Sequence, residues 1–552
     1  MNCMKTFNSV TVMRSLLALS FLVSGMVPTS PPAIAANDVP AQPTQLAQSS
    51  ESTQLAQANQ SSQSSQSVES AFSTKVSSTP SSAEAWRKKP PVLPPPRPFS
   101  MTKVTSYKLE NGLEVELVPD HRFPFTTASI GIKAGSCFEP KDKTGMADIC
   151  ADMLTEGTAT KKSKQLADEV DFIGGGLKAS SDFDFTLLSG SALAKYNDKL
   201  FDLMTDVLLH PSFPDDELTL KKTNLIQELA MKRSEPEFLV EERFHKVLFG
   251  DHPYGVVAPT PSTVKAITRE DLQSFHDKCY LPNESVLVVV GDFNEAKMKE
   301  LISSKFGSDW KRGTLPIATM PAFPKQDGRH IFLVNRPGSV QSNLRLGNIA
   351  ISKTDPNYFP MVVANEVLGG ATQARLFLNI REQKGYTYGA YSGLSARRQP
   401  GSFTAEAEVR TEVTAPSLEE FLYELDRIRN VKVTDKELKD AKSYLVGSFQ
   451  LGLETQSGLA QRLLESKLYD LPPDYLETYS SKVLAVTPDQ IRTVARQMID
   501  LQNIVISVVG DASKIKTDLE YFGPVQVYDT SGALSAGADK IKTDSGKSNS
   551  GS

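Results

Sequence analysis

The stretch Ser285-Val286-Leu287-Val288-Val289-Val290-Gly291-Asp292 recurs near the C-terminal end as Ile504-Val505-Ile506-Ser507-Val508-Val509-Gly510-Asp511. Each copy reads as a buried strand that runs straight into a Gly-Asp turn. Gly291 and Gly510 are 219 residues apart. Two further pairs keep nearly the same offset. "FPDDEL", ending at Leu218, and "VTDKEL", ending at Leu438, each open a long helix and lie 220 residues apart. "ADMLTEG", ending at Gly157, and "ANEVLGG", ending at Gly370, lie 213 apart. Three landmarks in one order at nearly one spacing indicate an internal duplication.

Within a copy, strands and helices come in runs. Tyr107 to Val118, Ala128 to Ala134 and Thr186 to Ala192 read as strands, with helical stretches around Gly145 to Thr155, Leu200 to Leu209 and Asp215 to Lys232. Hairpin-like strands beside segregated helices predict an α+β fold with one sheet and helices packed on one face. The expectation is two homologous sheet-plus-helices domains, residues 101–312 and 330–528, joined by a linker over 313–329 and forming a clam-like shell. Each is of ordinary domain size, roughly 200 residues.

The chain of 552 residues carries more than these two domains. Lys5 and Arg14 precede an apolar segment from Leu16 to Val27, followed by Ala33-Ile34-Ala35. That pattern predicts a signal peptide over 1–35 and export to a periplasm or the exterior, with an uncleaved anchor as the alternative. Residues 36–100 are Ser/Gln-rich and then Pro-rich, a composition that cannot offset its ordering entropy by burial. The tail 529–552 is small and polar and is expected to lie outside the fold. Sixty basic against sixty-five acidic residues, net charge −5, leave no footprint for nucleic acid. Beyond the N-terminus there is no apolar run long enough to span a membrane. Four cysteines, three once Cys3 is removed, are too few for a disulfide scaffold and lack paired C-x-x-C spacing.

One segment could carry metal chemistry, Thr144 to Thr158. Met146, Ile149, Cys150, Met153 and Leu154 fall at i, i+3, i+4, i+7, i+8, the pattern of a packed helical face. Asp148 and Asp152, four apart, share the opposite side. By itself this is an amphipathic helix with an acidic solvent face.

Its framing residues, Gly145-x-Ala147 and Met153-Leu154-x-x-Gly157-Thr158, resemble the zinc helix of the pitrilysin/insulinase-type peptidases, the inverzincins. Their H-x-x-E-H sets two metal-binding His on one helix face with a Glu as base. The matching positions here are Asp148, Ala151 and Asp152, so all three catalytic residues are replaced. The resemblance places the third ligand at Glu228, within "NLIQELAMKRSEP". Three carboxylates suit a hard cation better than zinc, and Ala151 cannot accept a proton from water. The similarity continues through "HPYG" at His252 to Gly255, the segment Ile267 to Phe293, and the second "VVGD". His252 has no second His at ligand spacing and reads as a loop residue with a structural hydrogen bond.

The second half keeps more. "NEVLGGATQARLFLNIREQKGYTYGAYSG", Asn365 to Gly393, predicts a helix over Ala374 to Lys384 that ends at Gly385. Arg381 lies in its last turn and Tyr388 on the strand that follows, with Tyr386 as the alternative tyrosine. In the family, a second domain supplies an Arg and a Tyr seven residues apart in a similar context, and Arg381 and Tyr388 match in type and spacing. Such donors can bind peptide carbonyls and charge developing near the scissile bond. Gly174-Gly175-Gly176 resembles the loop before the edge strand to which family members add extended substrate.

The resemblance therefore implies a divided enzyme. This chain is expected to hold no cofactor and to bring Arg381 and Tyr388 to a homologous zinc-bearing peptidase subunit, the substrates being extended peptides. A catalytically inactive scaffold or peptide-binding protein on the same fold is the alternative. An independent carboxylate-metal enzyme using Asp148, Asp152 and Glu228 is a third.

Overall fold

The computed structural model describes residues 103–535. The expected signal peptide over 1–35, the segment 36–100 and residues 536–552 lie outside the described residues. Two six-stranded sheets organise the rest. The first contains β1 (Thr105–Lys108), β2 (Glu114–Pro119), β3 (Phe125–Ile132), β4 (Gly176–Ser181), β5 (Thr186–Leu193) and β6 (Ser285–Gly291), in the order β1-β2-β6-β3-β5-β4. The second contains β7 (His330–Asn335), β8 (Gln341–Ile349), β9 (Thr387–Ser395), β10 (Ser402–Arg410), β11 (Val505–Gly510) and β12 (Val525–Tyr528), in the order β12-β7-β11-β8-β10-β9.

Five strands correspond one to one. β6 runs parallel to β2 and antiparallel to β3, as β11 runs parallel to β7 and antiparallel to β8. β5 and β10 then carry β4 and β9 as the terminal strands. The sixth position is filled differently. β1 is antiparallel to β2, whereas β12 comes from the C-terminal end and lies parallel to β7. The two "VVGD" segments are β6 and β11, in the same place in both sheets. The single strand expected over Tyr107 to Val118 is two strands, because Gly112, at φ 94°, turns the chain between β1 and β2.

Helices cover both faces of each sheet rather than one, and the second cover comes from the other half. The helix Pro236–Phe249 lies on β8 and β11 of the second sheet, while Gln456–Leu468 lies on β3 and β6 of the first. The two helices start 220 residues apart, at equivalent points of the duplication. Their close approach has left matching glycines on matching strands. A Cβ at Gly131 on β3 would stand 2.7 Å from Leu468 Cδ1, and one at Gly347 on β8 would stand 2.9 Å from Phe244 Cζ. This exchange explains why every residue of β6 and of β11 is buried: a strand covered on both faces reads as a near-continuous apolar run.

The junction between the halves is also polar. Tyr254, fully buried, donates to Asp184, with oxygen distances of 2.8 and 2.9 Å. Across the seam, the Gln399 N–H donates to the Tyr254 hydroxyl and the Arg398 N–H to Asp184, both at 3.2 Å. Lys467 pairs with buried Glu116 at 2.6 Å. The segment 313–329 carries no helix or strand, and its Phe323 ring lies 4.8 Å from His252 and 5.8 Å from Phe249.

The expected tail begins too early at 529. The chain folds back after β12, with Asp529 N–H donating to Ala533 O and Ser535 N–H to Val527 O. Arg243 holds the turn: its Nη2 donates to Gly532 O at 2.7 Å, and its guanidinium lies 3.6 Å from the Tyr528 ring centre. Small polar residues here form an anchored turn because a half-buried arginine from the other half donates to it. Among the described residues, no helix is long and apolar enough to cross a membrane.

Candidate functional site

The helix Met146–Met153 packs its apolar side into the first core, with Met146, Ile149, Cys150, Met153 and Leu154 all buried. Cys150 is the small buried hydrophobe that its position implied, and burial pushes its thiol up to about 12. Gly145 and Ala147 N–H groups both donate to Glu139 at 3.0 Å, so a carboxylate from the preceding turn caps the helix. Gly145 at the N-cap has no side-chain acceptor, so Glu139 supplies one from six residues upstream, a partner that sequence reading missed. Removing the cap in Glu139→Ala should cost about 1–2 kcal/mol, read from the midpoint of urea unfolding with the slope unchanged.

The three positions of the degenerate motif diverge. Ala151 is fully buried among core side chains and faces no open site. Asp152 is ion-paired with Lys221 from the helix Asp215–Lys232. Asp148 stays open to solvent at its own surface. Its carboxyl is nevertheless pushed up to about 7, first by lost hydration amid the surrounding chain and then by the like charges of Asp152 and Asp182. Glu228 is exposed and pairs with Lys232 one turn on, at 2.8 Å.

Lys221 and Lys232 thus supply the positive charge beside these acids. Among the described residues, no group of three His, Cys, Asp or Glu side chains stands close enough to hold a metal ion. The donor set does not fit zinc: it has no nitrogen or sulfur, and two of its three carboxylates already have lysine partners. A carboxylate-metal centre from Asp148, Asp152 and Glu228 is therefore not assembled.

His252 is buried, and its Nδ1 accepts from the Tyr254 N–H at 3.2 Å. "HPYG" is a structural corner whose tyrosine ties the halves together, a role that sequence spacing did not reveal.

Beside the helix Met146–Met153 runs β4, the terminal strand of its sheet. Gly175 precedes it in close contact with β5, since a Cβ there would stand 2.0 Å from Ser191 O. Among the described residues β4 pairs only with β5, so its outer edge offers backbone groups to an extended chain.

In the second half the predicted helix forms, but mostly as wider coil. After one α turn, Phe377–Gln383 is a π-helix, following a first π-helix over Glu366–Gly370. Lys384 N–H accordingly donates to Asn379 O, five residues back. π turns concentrate at functional sites. Gly369 is held against β9, where a Cβ would meet Ser392 N at 2.4 Å. Glu366 beneath it is buried with neither carboxylate oxygen hydrogen-bonded, and burial raises it to about 7.

Gly385 ends the helix at φ 64°, as its residue type implied. The turn to β9 is tied down by Gly385 N–H donating to Arg381 O at 3.0 Å and Arg410 Nη1 donating to Gly385 O at 2.8 Å. Arg381 lies in the π-helix, pairs with Glu382 and has its guanidinium 4.7 Å from the Phe377 ring centre. Tyr388 sits at the start of β9, opposite an irregularity in β10, and is 91% exposed, whereas Tyr386 is half-buried. A guanidinium engaged by Glu382 through one nitrogen and a phenol without a partner among the described residues thus stand at the surface as hydrogen-bond donors.

A sequence profile described as Insulinase (Peptidase family M16) matches residues 114–260, and one described as Peptidase M16 inactive domain matches residues 266–445. The chain is 28% identical over 412 residues to an uncharacterized zinc protease of Mycobacterium leprae, covering 74% of this chain and 92% of that protein. It is 24% identical over 396 residues to the uncharacterized zinc protease YmxG of Bacillus subtilis, covering 72% and 95%. Among solved structures it is similar to a peptidase M16 inactive domain from Pseudomonas fluorescens, with TM-score 0.70 and 25% identity over 74% of this chain and 98% of that one. A protease from Helicobacter pylori shares the fold, with TM-score 0.69 and 22% identity over 74% and 100%.

Proposed function

Because the chain belongs to the insulinase-type (M16) peptidase family while its own motif positions hold Asp148, Ala151 and Asp152, we propose that it is the substrate-holding half of a two-chain metallopeptidase. The observation that carries this reading is the contrast between the two halves. In the first, acids at metal-ligand positions are occupied by Lys221 and Lys232, and the base position is a core alanine. In the second, Arg381 and Tyr388 remain at the surface.

The zinc-bearing partner would be a homologue with intact H-x-x-E-H, and its metal would supply the activated water. This chain's residues bind and orient. The edge of β4 pairs with the backbone of an extended peptide and so tolerates varied side chains. Arg381 and Tyr388 donate hydrogen bonds to peptide carbonyls and to the oxygen on which charge develops. The basic, apolar, small-residue N-terminus supports action outside the cytoplasm.

The test is reconstitution. Mixed with an exported homologue carrying H-x-x-E-H from the same genome, the chain should form an active complex while each chain alone is inert. Alone, the dialysed chain should hold no stoichiometric zinc by metal analysis and cleave no peptide, and Ala151→Glu should not change that, because nitrogen ligands are still missing. About one tightly bound zinc per chain would overturn the reading. The rival, an inactive scaffold, has one observation on its side: Arg381 is engaged by Glu382 rather than free.

A further inference from the structure

Tyr388 stands on the wrong side of its strand. Along β9, Ala390 and Ser392 are buried, and the Ser392 hydroxyl donates to Asn365 O at 3.3 Å, so these positions face the helix Tyr358–Asn365. Side chains alternate along a strand, which would turn Tyr388 the same way. Instead it is 91% exposed. The pairing with β10 accounts for the reversal. Thr387 lies opposite Val409 and Ala390 opposite Ala407, so Tyr388 and Gly389 together face Glu408 alone. Two residues against one make a β-bulge, and one inserted residue shifts the side-chain alternation by one place.

One side chain fastens this bulge. The Thr387 hydroxyl accepts from the Gly389 N–H at 3.1 Å, and its own proton has two acceptors in reach, Glu408 O at 2.5 Å and Gly389 O at 2.9 Å. A single oxygen thus ties the second bulged residue to the residue it faces. A Cβ at Gly389 would stand 2.6 Å from Tyr391 Cε2, so the Tyr391 ring lies close over the bulge. That ring is 5.7 Å from Phe377, on which the Arg381 guanidinium rests.

We propose that Thr387 is a positioning residue: its hydroxyl holds the bulge that turns Tyr388 away from the helices and onto the open surface, where it can reach a peptide carbonyl. What Tyr388 does there rests on the half-site reading; how it is aimed rests on the strand alone. Valine at 387 would keep the branched shape and the strand preference, but would take from Gly389 N–H its acceptor and from Glu408 O its donor. Tyr388 then has no fixed direction, and a displacement of about 1 Å can cost on the order of 10²-fold in rate.

Two measurements test this. On the full chain alone, hydrogen exchange read by mass spectrometry in a fragment spanning Thr387 to Ala390 should run at least about tenfold faster in Thr387→Val than in wild type. Thr387→Ser, which keeps the hydroxyl, should exchange as slowly as wild type. In the reconstituted complex, Thr387→Val should lower kcat by about 10–100-fold with little change in KM, and Thr387→Ser should recover most of that loss. Combined with Tyr388→Phe, Thr387→Val should cost nothing further, because the hydroxyl that the bulge aims is already gone. A strand end that had merely loosened would add its own loss. Unchanged exchange in Thr387→Val, a wild-type kcat, or a loss that adds in full to that of Tyr388→Phe would each overturn the proposal. A complex that is inactive with the wild-type chain would defeat the half-site reading, and the exchange comparison would still decide whether Thr387 holds the bulge.

Discussion

On the half-site proposal, Tyr388→Phe should lower turnover of the reconstituted two-chain complex by about 10²–10³-fold, equivalent to roughly 3–4 kcal/mol of transition-state stabilisation. The substitution removes one hydroxyl and keeps the ring. Because Tyr388 is 91% exposed at the start of β9, the change takes nothing from the core and should leave the melting temperature unaltered. A donor to an oxyanion counts most where charge is greatest, so the loss should fall on kcat more than on KM. Arg381→Ala should cause a loss of similar size. It is the less clean variant, since it also frees Glu382 and uncovers the Phe377 ring. Steady-state peptide cleavage, with assembly checked by size-exclusion chromatography, reads both. Near-wild-type turnover in the two variants would defeat the half-site reading and put the scaffold in front.

The second large effect concerns folding. Lys353 is ion-paired with Glu465 at 2.7 Å and donates to the Tyr358 hydroxyl at 2.9 Å, and Arg462 adds a second cation to Glu465 at 3.0 Å. The Lys353 and Glu465 side chains are 3% and 5% exposed. Glu465→Gln leaves two cations facing a neutral amide in the interior, where breaking one side of a buried pair costs about 3–5 kcal/mol. The cost should appear as a lower midpoint in denaturant and a lower melting temperature.

The pH dependence follows from the direction of each shift. Burial opposes the charge on Glu465, yet Lys353 and Arg462 hold its carboxyl below the ordinary value. Its contribution is therefore present above the unfolded carboxyl's range and is lost as pH falls through the lower folded value. Burial likewise opposes the charge on Lys353, but Glu465 and Tyr358 raise it well above a normal lysine. That contribution is complete below the unfolded lysine's range and is lost only as pH rises through the folded value. The gap between wild type and Glu465→Gln should be flat through neutral pH and close in acid. A gap that persists unchanged at pH 3 would contradict this assignment.

Much of the architecture was written in local pattern. The helix Asp215–Lys232 begins and ends where its residues imply, and β5 runs one residue past the expected Thr186 to Ala192. Those elements owe their limits to nearby signals, acids in the first turn and strict alternation along a strand. The exchanged helices were not legible, because nothing in Pro236–Phe249 or Gln456–Leu468 says which sheet each will cover. The trace was the near-continuous apolar run of β6 and β11, which already implied cover on both faces.

The site divides in the same way. Loss of the metal-binding residue types at 148, 151 and 152 could be read directly. The pair Glu228–Lys232, four apart on one helix, has the spacing of a legible pair, but that Lys221 neutralises Asp152 could not be read, since it lies on another helix. Nor could the π-helical coil around Arg381, whose extra residue per turn accompanies side-chain bonds from Asn379 to a helix more than forty residues on.

The exchange of helices also sets an order in time. During synthesis, the last strand of the first sheet is complete at Gly291, but the helix that closes its second face starts only at Gln456. Until then β3 and β6 have one apolar face uncovered, and no early fragment can finish folding by itself. Contacts of such long sequence separation slow folding and lengthen exposure to aggregation. A chain built this way becomes native in its final third, and any factor that keeps nascent protein unfolded would act on it with little to undo.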